Sequence, residues 1–165
     1  MKNLLLLAFT LTFSMLANAG HHAEGESMDH ADLKAVVTAA YAAFGSGDID
    51  AWTALHADDF KLTIFGQLPQ SGVFIGPEAV IENVFEKIAI HWPTFKITPI
   101  SVTVVGSTVY AHGQLTAEGL DSQTMQMWAV EGGKATVSTA FDDTDSMRQA
   151  MVLSNHFARK PDSTH

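Results

Sequence analysis

The chain has 165 residues, no cysteine, and 9 basic against 18 acidic residues, for a formal net charge of −9. Without cysteine there is no disulfide, thiol nucleophile, Fe–S cluster, thiolate zinc site or lipoprotein anchor. An acidic surface repels phosphate backbones and anionic lipid, and no basic patch offsets it, so nucleic acid is not an expected partner.

Lys2 is followed by an uncharged apolar run from Leu4 to Leu16 and then by Ala17-Asn18-Ala19, a small-x-small sequence suited to signal peptidase. The run is about 13 residues long, short of the roughly 20 that a stable bilayer-spanning helix needs. The expectation is a signal peptide over 1–19, export to a periplasmic or secreted location, and no stable membrane anchor. Residues 20–28 read as a flexible polar leader, and 29–160 as one domain. Loss of Lys2 leaves 8 basic against 18 acidic residues in the mature chain.

From Asp29 the pattern is helical: Leu33, Val37, Ala40 and Phe44 recur on one face, and Gly45-Ser46-Gly47 ends the run. Asp48 reads as the N-cap of a second helix with Trp52, Leu55 and His56 facing inward. Asp58-Asp59 closes that helix in this reading, which makes the two carboxylates capping and anchoring groups. Lys61 to Phe65 is a short strand, 66–72 a loop, and Val73 to Ile75 another short strand. Gly76-Pro77-Glu78 opens a third helix, with proline in the first turn and glutamate at the positive end of the dipole. Val80, Val84 and Ile88 form its apolar face, and Pro93 stops it after His91-Trp92. At that helix end His91 suits capping better than chemistry.

The second half switches to period two. Strands are expected over Phe95–Val105, Val109–Glu118, Gln123–Val130 and Ala135–Phe141, with turns at Gly106-Ser107, Gly119-Leu120-Asp121 and Glu131-Gly132-Gly133. Ser146-x-x-Gln149 reads as a capping box opening a C-terminal helix to about Ala158. Helices first and antiparallel strands after make an α+β layout, with helices on one face of a curved sheet.

Several landmarks recur in this order: Gly47-Asp48-Ile49-Asp50-Ala51-Trp52, Ala54-Leu55-His56-Ala57-Asp58-Asp59, Gly72-Val73-Phe74-Ile75-Gly76-Pro77, Trp128-Ala129-Val130-Glu131-Gly132-Gly133 and Phe141-Asp142-Asp143-Thr144. Together they resemble the nuclear transport factor 2-like superfamily, which includes SnoaL-like and ketosteroid isomerase-like domains. The resemblance covers about Asp32 to Thr144. It implies a cone-shaped fold, a pocket inside the cone and a homodimer formed through the sheet. It does not imply one chemistry, because function lies in the site and not in the fold. Transferring the steroid isomerase pattern puts the tyrosine position at Ala40, beside Tyr41. The general-base position falls at Ile64, and the second acid at Gln126, or at Met125 if the turn differs. None is preserved, so ketosteroid isomerisation is not expected.

By the same pattern Tyr110, His112, Gln114 and Thr116 point into the pocket from one strand. Gln126 and Trp128 join them from the next, with Met125 and Met127 as the alternative after a one-residue slip. Tyr41, Trp52 and Ile64 complete the expected ligand pocket, although Tyr41 and Trp52 also fit plain core positions. Such a cavity suits a small, mostly apolar ligand with a few polar atoms. Histidine ordinarily titrates near neutrality, so His112 is the candidate general acid or base of a cofactor-independent lyase, isomerase or hydrolase. A hydrogen-bonded structural histidine or ligand contact is the other reading of His112. There is no Ser-His-Asp order, glycine-rich phosphate loop or H-E-x-x-H motif. No cofactor is expected except at the N-terminus. Cleavage after Ala19 would expose Gly20-His21-His22, whose amine, amides and third-position imidazole can form a square plane for Cu(II) or Ni(II).

Overall fold

A computed structural model describes residues 28–152. Helix α1 (His30–Ser46) starts at Asp29, whose side chain accepts from the Asp32 N–H, and ends at Gly47 in the left-handed region, φ 71°. Glycine suits that C-cap because a Cβ is penalised there. The face with Leu33, Val37, Ala40 and Tyr41 is buried. Met28, placed in the leader by its sequence, packs against this core, and its Sδ accepts from the Gly133 N–H at 3.2 Å. Helix α2 (Ile49–Ala54) is capped by Asp48, as its sequence implies.

The second helix is shorter than expected. It stops at Ala54, and strand β1 (His56–Ile64) begins two residues later. Asp58 and Asp59 are therefore exposed strand residues and cap nothing. They fall where the pairing of β1 with its neighbour is irregular, between His56 and Lys61. An acidic pair there stays in solvent while His56, Phe60, Leu62 and Ile64 turn inward.

Strand β2 (Gly72–Ile75) pairs back on β1. Pro77 opens α3 (Pro77–Val80), which runs through a π-helical turn (Ile81–Phe85) into α4 (Glu86–His91). In that turn the Glu86 N–H reaches back to Ile81 O, one residue further than in an α-helix. Four long strands follow: β3 (Lys96–Val105), β4 (Thr108–Ala117), β5 (Leu120–Glu131) and β6 (Lys134–Asp142). Helix α5 (Thr144–Gln149) is capped by Asp143, which accepts from both the Ser146 N–H and its hydroxyl. The cap thus lies three residues before the expected Ser146. The part of the expected helix beyond 152 lies outside the described residues.

The six strands form one sheet in the order β2-β1-β6-β5-β4-β3. All neighbours are antiparallel except β1 and β6, which run parallel. The main core lies between α1, α2, the π-turn and the sheet's inner face. A smaller cluster of Leu68, Trp92, Leu115, Leu120 and Met147 sits under α5. Trp92 Nε1 donates to Met147 O at 3.0 Å, which ties the end of α4 to α5. His91 bonds through Nδ1 to Val152 O and through its own carbonyl to the Val152 N–H, so it anchors the chain after α5.

Candidate functional site

The inner face of the sheet and the helices line a partly open cavity of about 90 Å³. Its wall is mostly apolar: Phe44, Trp52, Val84, Phe85 and Ile88 come from the helices and the π-turn, and Phe60, Leu62, Ile64, Leu115, Trp128 and Ala140 from the strands. The π-turn supplies both Val84 and Phe85. Ala40 leaves room on α1, where a larger residue would fill the space.

Five polar side chains reach this wall: Tyr41, Gln70, Gln126, Ser138 and Asp142. Three aromatic and amide groups form a chain. Trp128 Nε1 donates to the Tyr41 hydroxyl at 3.3 Å, and that hydroxyl donates to Gln126 Oε1 at 2.8 Å. The direction is fixed because indole nitrogen can only donate. Gln126 therefore keeps its NH₂ free for another acceptor. Burial pushes the Tyr41 phenol well above its ordinary pKa, against the bond from Trp128. Asp142 accepts from Thr124 Oγ1 at 2.6 Å. Burial raises the Asp142 carboxyl above the usual range, and the Thr124 bond only partly offsets it. Gln70 is 1% exposed and Ser138 is fully buried, and neither amide atom of Gln70 nor the Ser138 hydroxyl has a protein partner.

The SnoaL-like domain model matches residues 37–138. The chain belongs to the SnoaL-like domain family. No curated protein sequence matches it. Among solved structures, an NTF2-like protein from Burkholderia thailandensis aligns at TM-score 0.67 and 23% identity, over 72% of this chain and 95% of that one. Bal32a, from a soil-derived mobile gene cassette, aligns at 0.68 and 22%, over 74% and 98%. A putative SnoaL-like polyketide cyclase from Jannaschia aligns at 0.63 and 17%, over 77% and 97%. At these identities the likeness establishes the cone fold and no chemistry.

Within this SnoaL-like domain the expected pocket residues divide in two. Tyr41, Trp52, Ile64, Gln126 and Trp128 line the cavity. Ala40, Ile64 and Gln126, the positions matched to the steroid isomerase groups, all line it too. Tyr110, His112 and Gln114 do not. They face outward, with Thr116, while Val109, Ala111, Gly113 and Leu115 are the buried set on β4. His112 Nε2 pairs with Gln123 Oε1 at 2.9 Å, and Gln114 donates to Asp121, both on the outer side of β5. The reason is the turn. Ala117 pairs with Leu120, so the hairpin turns on Glu118-Gly119 and not on the three residues after Glu118. That places His112 opposite Met125 and Ala111 opposite Gln126. A shift of one residue in the turn exchanges the two faces of a strand. His112 is thus no general acid or base of this cavity.

Sequence reasoning missed Gln70, Ser138 and Asp142. Gln70 lies in a loop, where periodicity gives no direction. Asp142 ends β6 on the inner face, opposite Thr124. Gly20, His21 and His22 lie outside the described residues. Among the described residues no cluster of three His, Asp or Glu could hold a metal ion, and no helix is long and apolar enough to cross a membrane.

Proposed function

We propose that this SnoaL-like domain binds a small, mostly apolar ligand inside its cone. The observation that carries this reading is the mostly apolar cavity, partly open to solvent, with a few polar side chains on its wall. Empty apolar cavities are costly in native proteins, and polar atoms within them cost more unless something pairs with them. One fold neighbour, TerC, was co-crystallised with polyporic acid at 18% identity and TM-score 0.66, over 72% of this chain and 97% of that one.

The test is to recover ligand from the purified protein by denaturing extraction and mass spectrometry, alongside Ala40→Leu. Ala40 is 1% exposed and borders the cavity, so leucine fills it. Wild type should carry or take up ligand. Ala40→Leu should lose uptake while keeping its circular dichroism spectrum, at a stability cost of about 1–3 kcal/mol. Equal uptake by both would overturn the reading.

Acid–base turnover is a second reading, and Asp142 favours it. Among the described residues that line the cavity Asp142 is the one carboxyl, and burial keeps it protonated to higher pH than usual. Such a group can give or take a proton at a bound ligand. Asp142→Asn should then abolish turnover but retain ligand binding. We also propose export with cleavage after Ala19, a homodimer through the outer sheet face, and a Cu(II) site at a mature Gly20-His21-His22 terminus. N-terminal sequencing of the exported fraction and a copper titration of His22→Ala test the first and last of these.

A further inference from the structure

We infer that the cavity recognises an uncharged ligand that presents a hydrogen-bond donor and an acceptor side by side, such as a carboxamide, lactam or hydroxy-ketone, and that Gln70 is the residue that reads it. The inference rests on the cone being a ligand site. Gln70 comes from the loop between β1 and β2, is 1% exposed, and borders the cavity. Both its Nε2 and its Oε1 are buried without a protein partner. An amide so placed has two donors and one acceptor to satisfy, and each one left bare has given up its hydration with nothing in exchange. A ligand group with one donor and one acceptor side by side satisfies both ends of the amide together. The Ser138 hydroxyl, also unpartnered at the wall, adds a further site of either sense.

Charge argues for a neutral ligand. Among the described residues no Lys, Arg or His lines the cavity, so an anion would find no cation among them. Among the described residues its ionisable side chains are Tyr41 and Asp142. An ionised ligand would lose its hydration among Phe44, Trp52 and Leu115 without a countercharge, and burial of an unpaired charge is strongly unfavourable. A cation could pair with Asp142 only by ionising it, at the expense of both desolvations.

Probes with one common body separate these terms: 2-naphthamide, the anion 2-naphthoate, the cation 2-naphthylmethylammonium, and naphthalene itself. Binding is measured by calorimetry at neutral pH. Methyl shifts of Met147, which borders the cavity, report the place; Met125 on the outer face is the control. 2-Naphthamide should bind at least about tenfold tighter than either ion, as one net hydrogen-bonded site implies. Gln70→Leu should weaken it by about tenfold or more while leaving naphthalene unchanged or tighter. Equal affinity of the amide and the ions, or an unchanged amide affinity in Gln70→Leu, overturns the assignment to Gln70 but spares the ligand site. If no probe, naphthalene included, shifts Met147, the ligand site itself is overturned and this inference with it.

Discussion

His56 shows how one buried side chain can set a whole protein's response to acid. It is 1% exposed and stacks on Trp52 with ring centroids 3.8 Å apart. Its Nδ1 lies 2.6 Å from Trp52 O, which can only accept, so Nδ1 carries the proton. Nε2 is then a bare, buried acceptor without a partner. Burial lowers its pKa from 6.5 to about 4, against the backbone bond to Trp52 and helped by the nearby Lys134 charge. Between those values the unfolded chain binds more protons than the folded one. Stability should therefore be full above about 6.5 and fall as the pH drops toward 4, by on the order of 3 kcal/mol from this residue. Urea unfolding at pH 7, 6, 5 and 4 measures the slope. In His56→Phe that contribution to the slope should vanish, whatever the change in absolute stability. The sequence pattern turned His56 inward, and the structure places it beside Trp52, Phe60 and Trp128.

At the scale of elements, two glycines in one helix make opposite predictions. Gly47 caps α1 with φ 71°, and its N–H bonds back to Ala43 O and Phe44 O. Gly45 lies inside the helix without positive φ, and a Cβ added there would meet nothing within 4 Å. Gly47→Ala should destabilise by about 1–2 kcal/mol, because an L-residue is penalised in the left-handed region. Gly45→Ala should stabilise by about 0.5–1 kcal/mol through helix propensity. Thermal unfolding of the two single mutants decides both, and a Gly47→Ala as stable as wild type would remove the cap argument. Such ends were legible because Asp and Gly act locally. Faces of strands were not legible in the same way. On β4 the apolar set Val109, Ala111 and Leu115 did mark the buried side, but the family pattern argued for the other set. The deciding quantity was the two-residue turn at Glu118-Gly119, whose position Gly119 alone does not fix. On β5, Gln126 and Trp128 were assigned inward correctly, yet with the wrong partners across the hairpin. The π-turn escaped because one residue of extra winding leaves the apolar spacing nearly intact.

For the whole molecule, the fold was readable from order and spacing, while the polar end of the cavity was not. Gln70, Ser138 and Asp142 come from a loop and one strand and meet only after the sheet is built. The outer face carries the last expectation. Phe65, Val73, Ile75, Val137, Phe141 and Met125 are all exposed. Register puts Val137 and Ile75 on either side of Lys61, and Phe141 opposite Met125, so they share one surface of β2, β1, β6 and β5. Phe65 and Phe141 touch, with ring centroids 5.3 Å apart. This face is rich in exposed apolar side chains, interrupted by Lys61, Thr63 and Thr139, and such a surface suits a self-complementary interface. Ala111 and Gly113 are on the buried side of β4 and add nothing to that face; a Cβ on Gly113 would already crowd Thr124 at 3.3 Å. The protein should therefore sediment at twice the chain mass. Phe141→Glu puts a carboxylate on the apolar face of each acidic subunit, and it should yield monomers that still bind ligand, since Phe141 does not line the cavity. A wild type that sediments as a monomer at high micromolar concentration would end the case for the outer face as an interface, and leave the cavity and its polar groups as they stand.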